Sequence, residues 1–458
     1  MEQIRDIETR HPEGAHHTSA DYPWGEHSLN SGSMQADEGN FWPCHYFDYI
    51  AGTSTGGLSA IMLGRLRMTV GQAISAYKTF GDTIFGKPRS WHINSALWFP
   101  RSKYPSSPME TVIAKLISQQ LGNEDSKKVS NEPFESPEGQ TRTIVFSCLQ
   151  TEREPTPYLW RSYNHESRTG GQDKALRLNL GLAARAPIWQ VARATSAAPR
   201  YFEPILIDGD THVDGAVGVN NPSPQTIDEV YYKENKRVPA LSVSIGTGVN
   251  PPDQENRAFP ETIRKVLRAR KTGKLRRRQI ITKYWELASG VAKKISDTET
   301  AVKTWERDCT LFQGAGRSSE ENFEKWWYRL NVDGALKAIP LDDWTPRKGG
   351  QKTLGQITDL TEAYLRRPDV EQTVRRIAEA LVKKRRERVQ TERWEHFIMK
   401  VAYRCPLNKK HEELFDSRDD IRKHLVSQHQ CAPEDDALMH QILSRARVVP
   451  NQSVSTSS

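Results

Sequence analysis

Long hydrophobic runs are missing from this chain of 458 residues, and nothing in it approaches the ~18 apolar residues that span a bilayer. The first residues carry no apolar core of the secretory kind. Cysteine is scarce. Cys44, Cys148, Cys309, Cys405 and Cys431 lie far apart in no disulfide spacing, and an odd number suits a reducing compartment. Hydrophobic residues make up only 36%, low for a globular chain, which fits polar ends around a folded centre. These shortages exclude a membrane-spanning or disulfide-stapled protein. They predict a cytoplasmic one that meets membranes from the side, as a peripheral contact.

What is present begins with Gly52-Thr53-Ser54-Thr55-Gly56-Gly57. Phe47-Asp48-Tyr49-Ile50-Ala51 before it reads as a short buried strand, and Leu58 to Leu66 after it carries apolar residues at helical spacing. A serine between glycines on a strand-to-helix turn is a nucleophile elbow. In isolation such a motif is more often a Gly/Ser/Thr loop that caps a helix; here both flanking elements stand in the right order. Gly52 and Gly56 would relieve crowding where the chain reverses. Ser54 would sit at the helix N-terminus, whose unpaired N–H groups favour negative charge, and the Thr55 N–H is a candidate oxyanion donor.

A serine hydroxyl needs a base. Histidines are sparse after Ser54: His92, His165 and His212, then none until His396. Asp214 is the better candidate. Residues Ile205 to Ala216 read as a hairpin turned by Gly209-Asp210, with Asp214 ending its second strand and Gly215 permitting a sharp departure. Alone, Asp214-Gly215 would pass for a turn.

In combination these segments resemble the patatin-like phospholipases. Gly52 to Gly57 is similar to that family's nucleophile segment, and Asp214-Gly215-Ala216 with Asn220-Asn221-Pro222 to its aspartate motif. Ala192 to Phe202 resembles the helix-to-strand segment between them, and Leu241 to Gly248 the strand and Gly-Thr-Gly turn that follow. The resemblance implies a three-layer α/β/α fold with a largely parallel central sheet. It implies a Ser–Asp dyad, Ser54 and Asp214, hydrolysing acyl esters of glycerolipids or phospholipids with no cofactor for catalysis.

One departure is serious. The family draws its oxyanion hole from a Gly-rich loop upstream of the serine, and residues 1–46 contain only isolated glycines, Gly14, Gly25, Gly32 and Gly39. Loss of one oxyanion donor costs about 10²–10³ in turnover. Loss of the loop with its strand would leave a sheet edge unpaired. The departure therefore keeps a second reading open, a truncated, alternatively spliced or degenerate relative that binds lipids or protein partners without turnover.

The expected organisation is a polar, disordered lead at 1–43, the catalytic domain at 44–250, a basic and helical continuation at 251–400, a finger-like segment at 401–432 and a polar tail at 433–458. The net charge of +8 is concentrated in two runs, Arg264 to Arg278 and Lys383 to Arg388. Either would attract anionic lipid headgroups, at ~1 kcal/mol per cation near the surface. In the finger-like segment Cys405, His411, His424 and His429 are separated by five, twelve and four residues. This resembles a two-Cys, two-His zinc finger with histidine in place of the second cysteine, and Cys431 is an alternative ligand; a structural zinc is the implied metal. The plainer alternative is a helix from Arg418 to Gln430 with exposed histidines. A third reading, a nucleic-acid regulator built on the finger, is disfavoured by the ordered dyad motifs and because a lone finger reads little DNA.

Overall fold

Strand β2 (Arg142–Leu149) is the hub of the main sheet because its residues are buried on both faces. Ile144 and Phe146 pack into one apolar cluster with Leu159 and Val219, while Val145, facing the other way, joins a larger cluster. That alternation is the period of a strand with cores on two sides. The computed structural model describes residues 1–10, 41–88, 102–122, 125–137, 140–151, 155–165, 178–199, 201–248, 302–310, 325–332, 336, 339–389, 402–408, 413–415, 418–429, 431, 439, 442–443 and 445–448. They divide into one unit made of 49–135 and 143–377 and another made of 1–48, 136–142 and 378–458.

In the larger unit the sheet runs β1 (Tyr49–Thr53), β2, β5 (Asp210–Asp214), β4 (Ile205–Ile207), with β3 (Thr156–Arg161) also on β2. The arrangement is three-layered, α/β/α, but the sheet is mixed where the sequence implied a largely parallel one. β2 pairs antiparallel with β3 and with β5, and β4 with β5. Short connections dictate the β2–β3 and β4–β5 pairings, since a chain that returns within a few residues can only pair antiparallel. The β4–β5 turn is Asp208-Gly209, both at positive φ (52° and 89°), one residue earlier than expected. β6 (Ser242–Ile245) pairs parallel with β7 (Trp327–Leu330) in a separate two-stranded sheet. Among the described residues β1 has a single sheet neighbour, β2.

The large cluster is built from helices. α2 (Thr55–Ala60) continues through a π turn at Ile61–Arg65, and α3 (Val70–Phe80) opens on a capping box between Thr69 and Gln72. α4 (Ser107–Leu121) starts beside Pro108, stops at left-handed Gly122, and buries Met109, Ile113 and Ile117. α6 (Ile188–Thr195) is apolar enough to be almost wholly buried. Between α4 and β2 lies α5 (Ser126–Asn131), and both Val129 and Phe134 are buried. Later come α7 (Ser223–Lys233), α8 (Gln351–Leu365) and α9 (Pro368–Val389), in which Val370, Ile377 and Leu381 are buried as their spacing predicts. No helix among the described residues is long and apolar enough to cross a membrane.

The smaller unit corrects two expectations. The lead is not wholly unstructured: Glu2–Thr9 form α1, and Glu8 is 0% exposed. Residues 11–40 lie outside the described set. The run Lys383 to Arg388 is largely spent inside the unit rather than offered to a membrane. Arg385 Nε donates to Glu8 Oε1 at 2.8 Å and Arg386 Nη2 to Glu8 Oε2 at 2.9 Å, while Arg388 Nη2 meets Asp48 Oδ1 at 2.8 Å. Only Lys383 and Lys384 of the five cations are exposed, because a buried carboxylate needs charge partners and this run supplies them. The other basic run lies outside the described residues. In the finger-like segment β8 (Ala402–Arg404) and β9 (Leu414–Phe415) precede α10 (Arg418–His429). The tail joins it: β10 (Arg447–Val448) pairs with β8, and Met439, Leu443 and Ala446 are buried.

Glu8→Ala would strand Arg385, 1% exposed, without its counter-charge. We expect a loss of about 3–5 kcal/mol, read as the opening free energy of amides in 378–389 by hydrogen exchange, with Glu8→Ala/Arg385→Met recovering most of it.

Candidate active site

β1 ends at Thr53 and α2 begins at Thr55, so the whole reversal falls on Ser54, at φ 55° and ψ −127°. A non-glycine residue held there costs on the order of 1–3 kcal/mol and persists only where its surroundings impose it. The surroundings are tight. A Cβ on Gly52 would lie 1.9 Å from the Gly56 carbonyl oxygen, and one on Gly57 would lie 2.4 Å from Thr195 Oγ1. Gly52 therefore has the role expected of it, but Gly56 does not: a Cβ there meets nothing within 4 Å. The glycine that lets the helix approach its neighbour is Gly57. The turn leaves Ser54 half-buried, with Thr55 and Gly56 exposed beyond it.

Asp214 is brought to the serine by sheet register. It ends β5 opposite Ser147 of β2 and is 3% exposed. Ser54 Oγ donates to Asp214 Oδ2 at 2.6 Å, a contact of the short, charge-assisted kind. The Ala216 N–H donates to the other oxygen, Oδ1, at 2.8 Å, which fixes the plane of the carboxyl group. Gly215 makes the departure possible, because a Cβ there would lie 2.3 Å from the Phe146 carbonyl oxygen. Burial pushes the Asp214 carboxyl up from 3.8 to about 7, against the opposing pull of the Ser54 and Ala216 hydrogen bonds. Desolvation wins because no cation among the described residues is paired with this carboxyl.

Two further residues fix the elbow. Thr195, fully buried at the end of α6, accepts the Ser54 N–H on Oγ1 at 2.9 Å and donates to the Phe146 carbonyl at 2.6 Å. The Ser54 amide is thereby spent, and the exposed Thr55 at the start of α2 is the nearer candidate for an oxyanion donor. Tyr77, on α3, donates to the Thr55 carbonyl and exchanges a 3.0 Å hydrogen bond with Ser59 Oγ, bracing that first turn. Neither was singled out in the sequence. Thr195 lay unremarked within the segment Ala192 to Phe202, and Tyr77 had no local signal.

The histidines between Ser54 and His396 are engaged elsewhere or lie outside the described residues, as His92 does. His165 Nδ1 is 2.7 Å from Glu229 Oε1, within a buried group that also holds Arg161 and Tyr163. Burial raises the Glu229 carboxyl, but hydrogen bonds and charge from Arg161 and His165 outweigh it and bring the group to about 2. His212 Nδ1 lies 3.0 Å from Ser147 Oγ, and burial lowers the imidazole to about 4, so it stays neutral. In the finger-like segment the structure gathers Cys405, His424 and His429; His411 lies outside the described residues.

Comparison with known proteins places this geometry. Residues 34–227 match a family profile described as patatin-like phospholipase. The chain is 28% identical over 215 residues to the calcium-independent phospholipase A2-gamma of Mus musculus, covering 47% of this chain and 26% of that protein. It is 26% identical over 260 residues to phospholipase A I of Arabidopsis thaliana, covering 47% and 19%. A third relative, the probable inactive patatin-like protein 9 of Arabidopsis thaliana, is 27% identical over 205 residues, covering 42% and 45%. The chain thus spans 26% and 19% of the length of the first two relatives.

The two glycines of the elbow should respond in opposite ways. Gly52→Ala drives a methyl into backbone and should cost at least about 3 kcal/mol, whereas Gly56→Ala should leave the thermal midpoint of unfolding nearly unchanged. Thr195→Val removes the acceptor of the Ser54 amide and should cost about 1–3 kcal/mol in the same measurement.

Proposed function

Because residues 34–227 match the patatin-like phospholipase profile, we propose that the chain is a lipid acyl hydrolase working through Ser54 and Asp214. The observation that carries the reading is the 2.6 Å hydrogen bond from Ser54 Oγ to Asp214 Oδ2 at a strained strand-to-helix turn. Ser54 Oγ attacks the ester carbonyl carbon while Asp214 Oδ2 takes its proton. The oxyanion gathers at the start of α2, where the Thr55 N–H is the first donor. Asp214 then passes its proton to the departing alkoxide, leaving an acyl-serine. Water, deprotonated by the same carboxylate, attacks the acyl carbon, and the proton returns to Ser54 as the fatty acid leaves.

A carboxyl of ordinary acidity would be a poor base, and burial supplies the correction, bringing Asp214 to about 7, near the pH at which it must gain and lose a proton. The substrate class is a glycerolipid or phospholipid ester met at an interface, which suits a half-buried serine with exposed neighbours at Thr55 and Gly56. A second reading, a lipid- or partner-binding protein without turnover, is favoured by the relative described as probably inactive.

Turnover of a short-chain nitrophenyl ester and of phospholipid vesicles, measured beside Ser54→Ala, decides between them. We expect Ser54→Ala to fall to background; equal rates from the folded pair would leave the binding reading. For the active protein kcat/KM should rise as pH rises through about 7, since only the Asp214 carboxylate accepts the serine proton. The stability effect has the opposite sign. Between the ordinary carboxylate value and about 7 the folded chain keeps a proton that the unfolded chain has lost, so stability falls as pH rises through that window. Asp214→Asn should abolish both trends, seen in a pH–rate profile and in thermal midpoints.

A further inference from the structure

The finger-like segment holds a set of ligand atoms that the hydrolase reading does not use. Cys405 follows β8 and is 4% exposed. Its Sγ lies 3.1 Å from His429 Nε2, and with His424 the three donor atoms fall within 4.8 Å of one another. The donors of a tetrahedral zinc site, at Zn–S of about 2.3 Å and Zn–N of about 2.0–2.1 Å, stand roughly 3.3–3.8 Å apart. An ion would therefore close the set with movements of about 1 Å.

The helix is oriented for this. Ile421 and Leu425 of α10 are 0% exposed and form its inner face, while Lys423, Ser427 and Gln428 are exposed. His424 and His429 are half-buried instead, and the His424 ring stands 4.9 Å from that of Phe415 on β9. This is not a helix with two solvated histidines. The apolar core beneath it is small, little more than Tyr403, Ile421, Leu425, Met439 and Leu443, and segments of this size commonly need a further cross-link.

We propose that Cys405, His424 and His429 bind one Zn(II) ion that ties the β8–β9 hairpin to the second half of α10. One thiolate and two imidazoles form a borderline donor set, which suits zinc rather than magnesium or calcium. The cysteine binds as thiolate, so uptake releases its proton to solvent, and the two histidines bind neutral. A fourth donor, water among them, completes the tetrahedron. The site is independent of Ser54 and Asp214, and its role is to hold this segment together.

The full chain, stripped of metal, would be titrated with Zn(II) alone and separately with Co(II). The expected result is one ion per chain and a thiolate-to-cobalt charge-transfer band. Cys405→Ser should lose the band, and His429→Ala should bind roughly 100-fold or more weakly. His429→Cys should restore binding, which separates ligation from folding, and Cys431→Ser and Ser54→Ala should bind as the parent does. Removing zinc should raise amide exchange across 402–429 and leave 142–149 unchanged. No uptake by the parent chain, or an unchanged affinity in Cys405→Ser, would overturn the site without touching the hydrolase reading.

Discussion

The structure of the larger unit turns on one crowded junction, the reversal at Ser54 between β1 and α2. Strand and helix approach so closely there that Gly52 has no room for a methyl against the Gly56 carbonyl, and Gly57 none against Thr195. The reversal is carried by a single non-glycine residue at φ 55°, which no isolated peptide would favour. Thr195 holds it there by taking the serine amide, and Tyr77 braces the next peptide. Both come from helices distant in sequence, so the elbow is a product of packing as much as of its own six residues.

Among the described residues three carboxyl groups are buried, Glu8, Asp214 and Glu229, and the contrast shows what sets one of them apart. Glu8 lies between Arg385 and Arg386, and Glu229 is held by Arg161 and His165. Glu229 accordingly sits at about 2, a fixed anion that cannot usefully take a proton near neutrality. Asp214 is as deeply buried but has only a hydroxyl and a backbone amide for partners, and it stands at about 7. The absence of a cation among those partners turns a structural carboxylate into a candidate base.

The same comparison reassigns the charge of the chain. A run of five cations at 383–388 reads in sequence as a surface for anionic lipid, yet most of it is used to balance Glu8 and Asp48. At Glu8 desolvation decides the matter: a carboxylate with no access to water costs several kcal/mol unless countered, so nearby arginines are drawn to it before they are offered to a ligand.

How much was legible depended on how local each feature is. Ser54 and its flanking strand and helix stood out because glycines, a short apolar run and helical spacing are neighbours in the chain. The hairpin ending in Asp214 was legible for the same reason, although its turn fell one residue earlier, at Asp208-Gly209. The direction of the sheet strands was misjudged, since it depends on which strands meet and not on the strands themselves. Thr195, Tyr77 and the part played by Gly57 were hidden because each acts on a partner brought to it by the fold. By itself, then, the sequence picked out Ser54, Asp214 and the kind of domain that holds them, because those rest on local backbone preferences. The tertiary structure alone decided that the two side chains meet at 2.6 Å, that burial moves the carboxyl to about 7, and which arginines are spent on buried charge. Distance, dielectric and desolvation are properties of groups assembled in space, and no single stretch of chain contains them.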